Sequence, residues 1–371
     1  MIKIFTGIFR MKLYFIACYL VTSLGFSSVA WAQSQASLPR FELDLLWPEV
    51  PMNENWLTGG LGGMCMGQRD EVYLLNRQNV VEADLDAALL APPVIVLNKQ
   101  GQVINGWGDA ELIGGRIHDC DVDDEGNIWV IAAATGHIQK YSPAGELLMQ
   151  VGESGRYDSS NGSRDGIPLN SDSATFYLPA AIDVDSATGD IFVADGEVPG
   201  GNTRIAVLNK DGEFLRQWRL VRQAGEEDVF AGPYCLRLAN DGLVYVCDRS
   251  GNRVQVFNQQ GQIQQIIDAH FNPLTSPVGR EGGNRGNAVV LAFSADPEQQ
   301  YLYVINQNSV QIEVYDRLSG QMLTSFGNGP GRYRGQFELP HGIGVDSEGN
   351  VIIAEQEGRR VQKFNFVGLT P

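Results

Sequence analysis

Two histidines and a tyrosine stand at matching places in a chain that repeats itself. His341 opens the stretch ELPHGIGVDSEGNVIIAEQEGRRVQKF (338–364): apolar strand, acidic-glycine turn, second strand, glycine, third strand. His118 opens RIHDCDVDDEGNIWVIAAATGHIQKY, and Tyr234 opens GPYCLRLANDGLVYVCDRSGNRVQVF. Counted back from the first strand of every repeat, this position reads Gly62, His118, Ala180, Tyr234, Val289 and His341. The polar side chains fall in alternate copies. Two imidazoles and a phenol converging at roughly three-fold spacing form a donor set for one metal ion, with a position left open for substrate. The phenol binds as phenolate only after losing a proton of pKa near 10. A hard ion such as ferric iron favours it more than zinc does. The opposing reading makes each of the three one more scaffold residue of its repeat.

The elements that position these residues are short strands. Units at 116–152, 177–218, 232–266 and 287–327 share the order of the 338–364 stretch, and a weaker copy runs from GLGGMCMGQRDEVYLL through APPVIVLNKQGQVINGWG. That makes six. Each supplies three or four strands rich in Val, Ile, Tyr and Phe, separated by D-x-x-G, D-G or S-G turns. No helical periodicity persists. The expected fold is all-β, a six-bladed β-propeller whose ring leaves few unprotected edges. The last copy stops after its third strand, so PRFELDLLWP near the mature N-terminus is expected to supply the closing strand. A β-sandwich with a second domain is the competing fold, and the regular repetition counts against it. Two long polar connections, 153–175 and 268–287, lie between repeats and are expected to rim the same channel mouth as His341.

Residues 1–32 have the layout of a Sec signal peptide: Lys3, Arg10 and Lys12, an apolar run, then Ala30 and Ala32 placed for cleavage before Gln33. The mature propeller domain is then 33–371, exported to the periplasm or beyond, with no further membrane span. Losing those three cations takes the formal charge from −17 to −20. So acidic a surface repels nucleic acid and anionic lipid. Of the four remaining cysteines, Cys235 and Cys247 flank a strand–turn–strand, opposite one another to within a residue, as a disulfide candidate or two buried thiols. Cys65 and Cys120 can pair only where neighbouring repeats bring them together.

The unit LPHGIGVDSEGNVIIAEQEGRRVQKF resembles the NHL repeat. With APPVIVLNKQGQVINGWG, GLVYVCDRSGNRVQVF, DPEQQYLYVIN and LTSFGNGPGRYRGQFELPHGIGVDSEGNV, the order of units resembles the lyase domain of peptidylglycine α-amidating enzymes and its secreted bacterial relatives. The resemblance implies three zinc-binding histidines at the positions of His118, Tyr234 and His341, so this chain has Tyr in the middle place. It also implies a substrate-binding arginine, matched by Arg77, and a catalytic tyrosine where this chain has Glu197. The family's aspartate after the last histidine is replaced by Gly342, and Asp119, after His118, is the residue that could compensate.

Two function classes follow. In the first, a metal-dependent C–N lyase, a divalent or ferric ion sits at His118, Tyr234 and His341. Arg77 holds a substrate carboxylate or carbonyl oxygen, and Glu197 acts as general base if partial burial raises its pKa. In the second, a non-catalytic propeller holds a peptide, protein or glycan at the channel mouth, Arg77 pairs with an acidic neighbour at the surface, and Glu197 is an ordinary solvated loop residue. A calcium-dependent lactonase ranks last, because only Asp119 stands in the aligned ring. His137 and His270 have no assigned role.

Overall fold

The computed structural model describes residues 37–50, 55–86, 88–269 and 285–370. The expected signal peptide lies outside them, as do His270 and most of the 268–287 connection.

Six four-stranded antiparallel sheets form the blades: five run in sequence order from an inner to an outer strand, and the sixth takes its outer strand from the N-terminal segment. The inner strands are Leu61–Met66, Ile117–Val122, Pro179–Val184, Cys235–Leu238, Val290–Phe293 and Pro340–Val345. Each packs against the next, and the last packs against the first. Crowding at the axis explains their composition. A Cβ on Gly63 would lie 2.2 Å from the His118 carbonyl oxygen, and one on Gly344 would meet Met64 and Met66 within 2.8 Å. Glycine is what admits the neighbouring strand there.

The ring closes as expected. Leu38–Leu43 pairs antiparallel with Val361–Thr370 and becomes the outer strand of the sixth blade. Phe41 anchors it, with ring centroids 4.5 Å from Phe326 and 5.6 Å from Tyr303. The third strand of that blade runs further than its sequence suggested, to Thr370, which gives the N-terminal segment a full-length partner.

Three blades share a turn device that the sequence writes as acid, spacer, arginine. The acid ends the second strand, and the arginine starts the third or directly precedes it: Asp195–Arg204 at 2.9 Å, Asp248–Arg253 at 2.8 Å and Glu355–Arg360 at 2.7 Å. Charge-assisted hydrogen bonds of this kind fix the turn in one geometry. The turns so fixed face the same mouth as the start of every inner strand. Connection 153–175 is tied down by the first of them: Asp158 is buried, accepts from Asn202 at 2.9 Å and lies 3.7 Å from the Arg204 guanidinium.

Both cysteine pairs are disulfide-bonded. Cys235 and Cys247 are directly opposite in the fourth blade. Cys65 joins Cys120 across the inner strands of blades one and two, a juxtaposition that only the ring creates.

Candidate functional site at the channel mouth

The repeat position that holds His118, Tyr234 and His341 is a β-bulge. In the second blade Ile117 pairs with Ala132 and Asp119 with Ile131, which leaves His118 as the extra residue. The same slip isolates Gly62, Ala180 and His341 in the first, third and sixth blades. In the fourth, Tyr234 N–H donates to the Cys247 carbonyl while Cys235 pairs with the same residue. A bulge re-aims the side chain of its unpaired residue. Here it turns each one toward the channel axis.

Three side chains therefore meet. The His118 ring centroid lies 4.9 Å from that of His341 and 5.2 Å from that of Tyr234, and all three residues are buried. His118 Nδ1 donates to the Ala180 carbonyl at 2.6 Å, and its Nε2 lies 3.5 Å from Glu197 Oε1. Burial, then the charges of His118, Arg77 and Arg249, hold His341 well below the ordinary histidine pKa, so it is neutral at pH 7. Burial also raises the Tyr234 pKa. A protonated phenol beside a neutral imidazole donates to it, and the Tyr234 Oη to His341 Nε2 distance is 3.0 Å. The cavity bounded by these three and Met64 has about 10 Å³, room for one water or one ion.

Arginines surround the cluster. Arg77 bonds the Ile117 carbonyl through Nε at 3.3 Å and Gln356 through Nη1 at 2.8 Å, while its Nη2 is buried without a partner. The reading of Arg77 as a surface ion-pair residue fails, since its partners are a carbonyl and an amide. Gly62 makes room for it: a Cβ there would lie 2.6 Å from Arg77 Nε. From the opposite blade, Arg249 lies over the Tyr234 ring, 4.6 Å from its centroid. Arg116 pairs with Glu197 Oε1, which also lies 3.5 Å from His118 Nε2.

Two expectations are corrected by this geometry. Glu197 is buried, but its pKa is not raised. Burial pushes it up, yet the His118 hydrogen bond and charge, then Arg116 and Arg77, more than offset that and leave it at about 2. Nor is Asp119 available to the cluster. Both its oxygens are taken by Arg237 at 2.8 Å, and Oδ2 also accepts the Ile182 amide at 3.1 Å. The carboxylate is turned along the strand into the ties between inner strands. No aspartate could replace Gly342 unchanged either, because a Cβ there would lie 2.9 Å from Met64.

The Glu197 shift has a measurable consequence. A carboxylate whose folded pKa is depressed stabilises the fold above its unfolded value near 4.5, and that stabilisation is lost as pH falls through about 2. In metal-free protein, Glu197→Gln should flatten the loss of unfolding free energy across this window by about 3 kcal/mol. Urea melts at a series of pH values measure it, and unchanged slopes would refute the pairing.

Among the described residues, no three His, Cys, Asp or Glu side chains cluster closely enough to hold a metal. The donors that do fit are mixed: His118 Nε2, Tyr234 Oη and His341 Nε2. Arg116, Arg249 and Gln356 were not singled out from sequence. A second repeat position would have found two of them. The residue after the second strand reads Arg77, Ala133, Gly196, Arg249, Gln307 and Gln356 around the ring, and every one of these turns faces the mouth.

Comparison with known proteins agrees with this architecture. The family profile of the NHL repeat matches residues 230–257. NHL repeat-containing protein 3 of Mus musculus is 26% identical over 357 residues, which is 94% of this chain and 90% of that protein. Peptidyl-glycine alpha-amidating monooxygenase B of Xenopus laevis is 27% identical over 260 residues, covering 67% of this chain but 26% of that protein. Peptidyl-alpha-hydroxyglycine alpha-amidating lyase 1 of Drosophila melanogaster is 27% identical across 71% of this chain and 47% of the lyase. The chain thus spans about a quarter to a half of these amidating relatives. Among solved structures, a streptogramin B lyase superposes with a TM-score of 0.50 at 15% identity over 90% of this chain and all of that one. The β-propeller domain of Cps50 (Swd1) from Myceliophteria thermophila gives 0.53 at 10% over 89% of this chain and all of that one. Both bear on fold alone. Repeats, closed ring and relatives agree: this chain is a six-bladed β-propeller that carries an NHL repeat at residues 230–257 and resembles the lyase domain of the peptidylglycine α-amidating enzymes.

Proposed function

We propose that the channel mouth is a metal-assisted C–N lyase site for a small α-hydroxyglycine-type substrate, releasing an amide and glyoxylate. The observation that carries this is the convergence of His118, Tyr234 and His341 beside an arginine with an unpartnered buried nitrogen. The donor atoms that would hold the metal are His118 Nε2, Tyr234 Oη and His341 Nε2. A metal ion bound there supplies Lewis-acid polarisation of a substrate oxygen.

The remaining steps fall to the chain. Arg77 Nη2 and the Arg249 guanidinium, approaching from opposite blades, bind and orient the substrate carboxylate. The Ala180 carbonyl holds the His118 ring through Nδ1. Arg116 fixes one oxygen of Glu197 and leaves Oε2, buried and unpartnered, facing the site. The Arg116 and Arg77 charges favour its ionised form, so that oxygen accepts a proton only from a hydroxyl already made acidic. Glu197 is therefore an orienting carboxylate first and a weak base second.

Protein loaded with zinc or iron and incubated with N-benzoyl-α-hydroxyglycine should release glyoxylate. Arg77→Ala should lower kcat/KM about 10–100-fold, the loss of one charge-assisted hydrogen bond of about 1.5–3 kcal/mol. Metal-loaded protein that releases no glyoxylate contradicts the lyase reading. A non-catalytic propeller that holds a peptide, protein or glycan at the channel mouth would then be the reading that remains.

A further inference from the structure

Away from the channel, the closing strand borders a second cavity. After Leu43 the chain turns through Asp44 and Trp47 across the third strand of the sixth blade, enclosing about 270 Å³. Its lining combines apolar Leu43, Trp47 and Val361 with Arg334 and Arg359. That is several times the space of a water and close to the lower bound for small-molecule pockets.

Charge makes this cavity unusual for the molecule. The whole chain carries a formal −17, yet arginines dominate here. Arg334 and Arg359 are exposed and bond only main-chain oxygens, those of Leu45 and Asn79 respectively. Neither forms an ion pair among the described residues. Arg360 differs: Glu355 and several carbonyls consume its donors. The one acid in the lining, Asp44, is also spent, accepting the amides of Leu46 and Trp47 at 2.9 and 3.2 Å through Oδ1 and Asn365 through Oδ2. Two guanidinium groups with unused donors thus share a lining with apolar side chains. Guanidinium matches a carboxylate, and the apolar side chains match a ring or branched chain. Polyanions are disfavoured, because the acidic surface around the patch repels them.

We propose that this cavity is a second ligand site, for small monocarboxylates with an aromatic or branched apolar body. It stands independently of the lyase reading, and since both sites contain arginine, variants at each tell them apart. Titration calorimetry with 3-phenylpropionate should give saturable binding, and 3-phenylpropanamide, the neutral isostere, should bind at least tenfold more weakly. Arg359→Gln, which gives up a single main-chain contact, and Arg334→Gln/Arg359→Gln should each weaken the acid, the double at least tenfold, with unchanged thermal melts. Arg77→Ala should leave it unchanged. Equal binding of acid and amide, no loss in the arginine variants, loss in Arg77→Ala, or no binding at millimolar acid would each overturn the proposal.

Discussion

Replacing Arg204 by methionine should lower the unfolding free energy by about 3–5 kcal/mol, the effect of removing one partner from a buried ion network. Arg204 is fully buried. It donates to Asp195 at 2.9 Å, to the Thr175 carbonyl at 2.6 Å and to the Ser171 carbonyl, and lies 3.7 Å from Asp158. Without it, two buried carboxylates lose their cation. Burial already raises the Asp195 pKa, with Arg204 the main opposing influence. Adding Asp158→Asn and Asp195→Asn should restore part of the loss, because no uncompensated charge then remains. The local effect matters as much for function. Asp195 ends the strand that delivers Glu197 two residues later, and Arg204 also pins connection 153–175 to this blade. Arg204→Met should therefore expose 153–175 to proteolysis before global unfolding. Urea denaturation and limited proteolysis test both parts, and a loss under 1 kcal/mol with an unchanged cleavage pattern would refute the network's role.

Removing residues 37–43 should abolish the cooperative unfolding transition. The deleted strand makes six residue pairs with the sixth blade, from Leu38↔Thr370 to Leu43↔Phe364. Its ladder hydrogen bonds contribute about 1 kcal/mol each, and its aromatic anchor about 3 kcal/mol. Together these approach the 5–15 kcal/mol, roughly, of a whole domain. An open ring also presents an unpaired edge, which invites association between chains. A synthetic peptide of residues 37–44, SLPRFELD, added in trans should restore a single transition. A truncated protein that melts like the full chain would show that closure contributes little.

Most of the fold was legible because the turns are written in the sequence. Glycine and aspartate recur at fixed offsets between β-branched runs, and six copies leave one economical architecture. The closing strand was legible too, since the sixth copy is one strand short. The site was legible in outline only. The alternating His118, Tyr234 and His341 could be read from the repeat register, because each stands at the same offset before the first strand of its copy, a place that is a bulge in blades one, two, three and six. What that register could not convey was the partner of each neighbour. Asp119 follows His118 in sequence, but the pleat sends it to Arg237, on a strand two blades away. Glu197 was expected to behave as an isolated buried carboxyl. Its pKa falls because Arg116 and His118, some eighty residues earlier, are folded against it. The cavity beside Trp47 had no signal, because it is bounded by the N-terminal segment and the sixth blade.

The central claim is that His118, Tyr234 and His341 hold one metal ion at the channel mouth. Elemental analysis of the purified protein, alongside the His118→Ala/His341→Ala double variant, tests it most directly. The account predicts close to one zinc or iron per chain, lost in the variant while the β-sheet circular dichroism is unchanged. Protein that takes up no metal after dialysis against zinc and iron, or a variant that retains it, would contradict the account and make both histidines part of the scaffold.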